Sequence, residues 1–134
     1  MSLQTRLQES LETVPDGVAV GYLDLKTGSL LSIAARDERP QEFLNVIAAA
    51  VTELFEAPLF KALDKIWSAD FSETELEDPA FTEILLLGNE YTTVLKRCKN
   101  NAHHAVIYVT RKQAPPGVLL MQVRSTLPAV EAAI

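Results

Sequence analysis

The chain has 134 residues, of which 48% are hydrophobic and 22% are charged. This composition is typical of one globular domain and excludes an intrinsically disordered chain. A chain of this length can bury about two-thirds of its unfolded surface, so it needs no metal ion or disulfide to fold. The single cysteine, Cys98, cannot form an internal disulfide. Since residues 1–12 are polar and no apolar run approaches the ~20 residues of a membrane span, we expect a cytoplasmic protein.

Charge is unevenly distributed along the chain. Residues 1–90 contain 17 acidic and 6 basic side chains, whereas residues 91–134 contain 6 basic side chains and only one acid, Glu131. Such asymmetry can steer a partner or favour self-association. Alternatively, strands and helices from the two parts interleave in space, and their opposite electrostatic fields average out.

The first third of the chain predicts a helix followed by a β-hairpin. Residues 2–14 form the helix, with Ser2 as its cap, because apolar side chains recur at helical spacing at Leu3, Leu7, Leu11 and Val14. Residues 18–25 are almost continuously apolar, which is typical of a strand covered on both faces. Gly28 suits a turn that needs a positive φ, and residues 30–35 form the returning strand.

The middle of the chain predicts two consecutive helices. Pro40 suits the first turn of a helix, and an apolar stripe follows at Phe43, Ile47, Val51, Leu54 and Phe55. Pro58 ends or kinks this helix, and residues 59–67 continue with helical periodicity. Residues 70–80 carry five acids and predict an exposed connector, with a docking surface for a basic partner as the alternative.

The remaining chain predicts three strands and a closing helix. The strands cover residues 82–87, 90–98 and 104–110 and are separated by short polar turns. The closing helix has apolar residues at Leu120, Val123, Leu127, Val130 and Ile134. Pro128 must kink or restart this helix, and a strand over residues 118–123 is the alternative. The order α-β-β-α-(α)-β-β-β-α predicts an α/β (α+β) domain with a five-stranded antiparallel sheet flanked by helices.

The sequence contains no motif of a known kind of catalytic or cofactor site. It has no phosphate-binding loop, no dinucleotide-binding glycine pattern and no nucleophile elbow. His103 and His104 are adjacent, but neighbours in a strand point to opposite faces and do not chelate one ion. We therefore expect no catalytic residue, no cofactor and no metal. An enzyme stays as an alternative if Asp24, His104 and Tyr108 converge in a cleft.

Basic side chains in the second part of the chain form a candidate partner surface, which comprises Lys96, Arg97, Lys99, Arg111 and Lys112. Together with Arg124, and with Tyr91 and Tyr108 as stacking platforms, they are also the residues that nucleic-acid binding would use. The isoelectric point of about 4.9 and the few aromatic residues argue against that partner.

Several local patterns resemble the Roadblock/LC7 family. The segment VPDGVAVGYLD at residues 14–24 is similar to the opening of that family, in which a helix and a Pro-Gly turn lead into a strand that ends in an acidic hairpin. Gly28 matches the hairpin glycine, and PGVLL at residues 116–120 is similar to the start of the last helix. The resemblance covers residues 3–130 and departs from the family at residues 58–80, which are longer than its usual link.

The resemblance implies a non-enzymatic domain that dimerises and regulates or scaffolds another protein, such as a small Ras-like GTPase. Dimers of the family pair the central helix and an edge strand into a continuous sheet, which would also remove an aggregation-prone open edge. Carried onto this chain, the interface would comprise Phe43, Leu44, Ile47, Ala48 and Val51 of the second helix with Ile84 and Leu86 of the third strand. The alternative for the helix is burial on its own sheet.

A second class of function has the same predicted elements. A small-molecule sensor or ligand-binding domain of the profilin-, GAF- or PAS-like kind also has an antiparallel sheet flanked by helices. Such a sensor should enclose an apolar pocket with a few polar groups. The leading hypothesis is therefore a homodimeric protein-interaction domain, and a cavity would favour the sensor.

Overall fold

The computed structural model describes residues 2–36, 41–68, 82–112 and 114–134. Pro40, the acidic segment at residues 70–80 and the side chains of Phe43 and Phe55, all named by the sequence predictions, lie outside what it describes. The elements in chain order are α1 Leu3–Thr13, β1 Gly17–Asp24, β2 Ser29–Ala35, α2 Gln41–Glu56, α3 Pro58–Ser68, β3 Glu83–Leu87, β4 Tyr91–Arg97, β5 His104–Arg111 and α4 Pro116–Glu131. The predicted element order and fold class are confirmed.

The five strands form one antiparallel sheet in the order β2-β1-β5-β4-β3. β1 pairs with both β2 and β5, so the first and last strands are neighbours at the centre of the sheet. β2 and β3 are the two edges. Because β5 and β4 lie between β1 and β3, the acidic and basic parts of the sequence share one sheet and do not form separate halves.

Two helices, α1 and α4, pack side by side on one face of the sheet. Alternation along the strands turns every second side chain toward them. The core on this face includes Leu7 and Leu11 of α1, Val20 and Tyr22 of β1, Val94 of β4, Tyr108 of β5, and Leu119, Val123, Leu127 and Val130 of α4. Burial of this stripe of α4 explains its helical spacing of apolar residues.

The helix α2 covers the opposite face. Val51 packs with Leu23, Leu95 and Ile107, and Leu44 packs with Ala19 and Val109. The strand β1 is therefore covered on both sides, as its apolar run predicts, and all but one of its residues are buried. α3 contacts α2.

Local signals of the sequence act as expected at two element ends. The backbone N–H of Thr5 donates to Ser2 Oγ at 3.2 Å, which satisfies one of the free donors at the start of α1. Gly28 adopts a φ of +72°, a left-handed conformation that a side chain would oppose, and so closes the β1–β2 hairpin.

The last element decides between the two predictions for residues 118–123. Residues 118–123 are helical and not a strand, because Leu119 and Val123 are buried at helical spacing while Val118 and Met121 are exposed. Pro116 occupies the first turn, where its missing N–H costs nothing. α4 also continues through Pro128 as one helix, and the Ala132 N–H donates to the Pro128 carbonyl at 3.0 Å.

Candidate interaction surfaces

The inner side of α2 holds most of the helix residues that were predicted as a dimer interface. Leu44, Ala48 and Val51 are 8%, 0% and 1% exposed, and the partly buried Ile47 packs against the same core. Leu44, Ile47 and Val51 pack against the sheet of their own chain. The sequence left two interpretations of this stripe, a dimer interface and burial on its own sheet. The structure places the stripe on its own sheet.

The outer side of α2 is open. Val46 is 68% exposed, and Ala49, Ala50 and Glu53 are exposed beside it. The small alanine side chains allow another backbone to approach closely. The sequence indicates Ala49 and Ala50 as small residues that allow close packing against a sheet or a twin helix, but not Val46, which lies outside the apolar stripe.

The edge strand β3 carries the other two residues of the predicted interface. Among the described residues β3 pairs with β4 alone, so its outer backbone groups face away from the sheet. Ile84 is partly buried in the α2-side core, and Leu86, two residues along on the same face, is 42% exposed. Leu87 is 65% exposed on the other face. An apolar, unpaired edge of this kind is a template for pairing with another chain.

A third apolar area lies on α3. Leu59, Ile66 and Trp67 are 83%, 60% and 62% exposed. Large apolar side chains that cluster on one surface are typical of protein-binding sites. α3 therefore adds a candidate surface that the sequence predicted only as a helix.

The basic residues of the candidate partner surface lie at two ends of the sheet. Lys96, Arg97 and Lys99 lie at the end of β4 where Arg97 pairs with Ala105. Arg111 and Lys112 lie at the opposite end, where Arg111 pairs with Tyr91. Six residues of strand separate the two groups by about 20 Å. Arg97 further donates from Nη1 to the Ala102 carbonyl at 2.9 Å, so its guanidinium is used within the turn.

Lys96 and Lys99 line a groove between β4 and α4. The groove has a volume of about 160 Å³, and its other lining residues are Arg124, Leu127, Pro128 and Glu131. Glu131 Oε1 accepts the backbone N–H groups of Lys99 at 2.5 Å and Asn100 at 3.3 Å. No pattern in the sequence indicated Glu131, which is 32 residues away from Lys99 and approaches it only through packing of α4 on the sheet.

The three polar residues of the enzyme alternative are bound to separate partners. Asp24 accepts the Lys26 N–H within the hairpin turn, and His104 Nδ1 lies 2.8 Å from the Tyr22 hydroxyl. The Tyr108 hydroxyl lies 2.6 Å from Ser10 Oγ inside the α1/α4 core. Asp24 and His104 are paired across β1 and β5, but Tyr108 is four residues further along β5. The three do not form one site.

Burial makes the internal tyrosines and the cysteine poor acids. Burial is the main cause that raises the pKa of Tyr22 and Tyr108 above its ordinary value. Burial also raises the pKa of the Cys98 thiol to about 11, and the thiol lies 3.7 Å from the Tyr22 hydroxyl. A thiol with this pKa stays protonated at neutral pH, whereas a nucleophilic cysteine needs a lowered pKa.

The space beneath α2 is too small for the ligand of a sensor. There the described residues enclose an apolar space of only about 10 Å³, lined among others by Gly21, Leu44 and Ile107. That is room for about one water molecule, whereas ligand pockets measure roughly 300–1,000 Å³. Within the described ranges, no group of three or more His, Cys, Asp or Glu side chains is arranged to hold a metal ion.

None of the helices in the described part of the chain is both long and apolar enough to cross a membrane.

The fold is that of Roadblock/LC7 domains. A Roadblock/LC7 domain from Streptomyces avermitilis superposes with a TM-score of 0.72 at 12% identity, covering 98% of this chain and 97% of that one. The gliding protein MglB from Thermus thermophilus superposes with a TM-score of 0.73 at 18% identity, covering 99% and 91%. A structure of MglB with a tetrameric arrangement gives 0.71 at 19% identity, covering 98% and 90%. No protein-family model and no curated protein matches the chain in sequence.

Proposed function

We propose that this chain is a non-catalytic protein-interaction domain that forms a homodimer and regulates or scaffolds another protein. The observation that carries the proposal is the open apolar edge of the molecule. Within the described residues, β3 has an unpaired side with Leu86 exposed, and the outer side of α2 exposes Val46. Both are parts of the α2 side of the sheet, since Ile84 and Leu86 share that face.

In the proposed dimer, β3 pairs with its copy and the outer sides of the two α2 helices meet. The strand pairing would satisfy the backbone groups at the edge and cover Leu86. This arrangement keeps Ile84 and Leu86 in the interface. On α2, the proposed interface consists of Val46, Ala49 and Ala50. It does not include the inner stripe predicted from the sequence, because that stripe already packs against its own sheet.

The proposed partner is a small Ras-like GTPase. Three observations support this choice. The sequence resembles the Roadblock/LC7 family, whose members include regulators of such GTPases. The fold is similar to that of the gliding protein MglB. The exposed apolar residues of α3 offer a surface outside the proposed dimer interface. Affinity purification from the native cell should recover a GTP-binding protein if this choice is correct.

Sedimentation equilibrium tests the dimer. The wild-type chain should sediment as a dimer at micromolar concentration, and Leu86→Asp should sediment as a monomer with an unchanged circular dichroism spectrum. Leu31→Asp is the matched control, because Leu31 is a similarly exposed leucine (52%) on the other edge strand, β2. A wild-type monomer, or equal effects of the two substitutions, would contradict the proposed interface.

A further inference from the structure

The groove between β4 and α4 is lined by a lysine, Lys96, whose side chain is covered along most of its length. Lys96 belongs to a strand, points to the α4 side of the sheet like Val94 two residues earlier, and is only 8% exposed. The hydrocarbon stem of Lys96 is covered while its ammonium group keeps contact with water, and the nearby carboxylate of Glu83 acts on it electrostatically without a hydrogen bond. Among the described residues, no acceptor forms a hydrogen bond or a close ion pair with Lys96.

The two carboxylates near Lys96 are already used by other donors. Glu83 is the cross-strand neighbour of Lys96, but its two oxygens accept from Arg124 Nη2 at 2.8 Å and Arg124 Nε at 3.0 Å. Glu131 binds the backbone N–H groups of Lys99 and Asn100. The groove thus has an ammonium group with unfilled donor capacity and apolar walls, Leu127 and Pro128, which strengthen electrostatic attraction.

The balance of charge selects the kind of anion. Lys96, Lys99 and Arg124 contribute three positive charges, and Glu83 and Glu131 contribute two negative charges. The net charge of one is balanced by a carboxylate, whereas a phosphate dianion would exceed it. The guanidinium fork that favours phosphate is also occupied by Glu83.

We propose that this groove is a carboxylate-binding site that receives an aspartate or glutamate side chain of a partner protein, with Lys96 and Lys99 as its cationic ligands. The assignment of a protein as the source of the carboxylate rests on the proposed interaction function. The groove lies on the α1/α4 face of the sheet and not on the α2 face, where the two α2 helices of the proposed dimer meet. The site therefore adds a second docking surface to the molecule.

Peptide titration followed by NMR tests the site. The probes are the acetylated and amidated peptides Gly-Gly-Glu-Gly-Gly and Gly-Gly-Gln-Gly-Gly, and the readout is the backbone amide shifts of Lys99 and Asn100, which border the groove. The glutamate peptide should bind with a dissociation constant at least tenfold lower than that of the glutamine peptide. Lys96→Met should weaken glutamate-peptide binding at least tenfold, and Lys112→Met, an exposed lysine at the other end of the sheet, should not.

Lys99→Met is a second variant in case Lys96→Met does not fold, because Lys99 is exposed; it should weaken binding at least threefold. Equal binding of the two peptides would overturn the proposal. So would shifts with sodium phosphate or sodium acetate in the absence of shifts with the glutamate peptide, since the occupant would then be a free anion. The dimer is measured separately by sedimentation, so failure of one proposal is distinguishable from failure of the other.

Discussion

Arg124 of α4 holds the carboxylate of Glu83 on β3 with two hydrogen bonds, one from Nε at 3.0 Å and one from Nη2 at 2.8 Å. Parallel donation of this kind fixes the geometry of both side chains. β3 is an edge strand that pairs with β4, and this ion pair adds a tether from β3 to the helix layer. We expect it to stabilise the edge strand.

The tether predicts a dependence of stability on pH. The hydrogen bonds from Arg124 are the main cause that lowers the pKa of Glu83 below its ordinary value of about 4.3. A lowered pKa in the folded state means that the contribution is complete above about pH 4.3 and is lost as pH falls through the folded pKa. Glu83→Gln should therefore lower the melting temperature slightly at pH 7 and have no effect near pH 2. Thermal melts of both proteins from pH 7 to pH 2 measure this, and an unchanged difference across the range would contradict it.

The hydroxyl of Tyr108 predicts a second effect on stability. It lies 2.6 Å from Ser10 Oγ and 2.9 Å from Thr126 Oγ1, so it links β5 to both α1 and α4. Tyr108→Phe leaves the buried Ser10 hydroxyl without this partner and should lower the free energy of unfolding by about 1–2 kcal/mol. Urea denaturation measures the loss. In the double variant with Ser10→Ala the two losses should not add, whereas additive losses would show that the two hydroxyls act independently.

Two neighbouring residues of α2 predict opposite outcomes. Ile47 is partly buried against the sheet, so Ile47→Asp should lower the free energy of unfolding by more than about 2 kcal/mol. Val46 is 68% exposed, so Val46→Asp should change the stability of the monomer by less than about 0.5 kcal/mol while weakening the proposed dimer. Urea denaturation of the monomer and sedimentation equilibrium separate the two effects. If Ile47→Asp gave a stably folded monomer, the inner side of α2 would belong to the dimer interface and not to the core.

Two glycines predict different tolerance of a side chain. Gly28 has a φ of +72°, so Gly28→Ala should cost about 1 kcal/mol. Gly117 lies in the first turn of α4, where a methyl group in place of its hydrogen would have no described atom within 4 Å, so Gly117→Ala should be neutral or slightly stabilising. Thermal melts of the two variants compare these effects directly. Equal losses would indicate that the hairpin tolerates alanine.

Local patterns in the sequence predict the helices and strands and several of their ends. The capping hydroxyl of Ser2, the turn at Gly28 and the continuous apolar run of β1 are local signals, because each acts on backbone within a few residues. Helical periodicity also indicated the apolar side of α2. It did not tell whether that side covers its own sheet or a partner, since both contacts require the same apolar stripe. The sequence also indicated basic residues such as Lys96 and Arg111, but not the distance between them in the folded chain.

The contacts between distant segments depend on how the whole sheet assembles. The pairing of β1 with β5 joins residues such as Tyr22 and Val106, and many strand orders satisfy the same local patterns. The groove brings Lys96 and Glu131 together because α4 packs across β4, a contact that depends on burial summed over the whole face of the sheet. Elements therefore follow from short-range geometry and the hydrophobic pattern. The open edge of β3 and the groove lined by Lys96 are properties of the assembled sheet, because each depends on which neighbours the fold supplies.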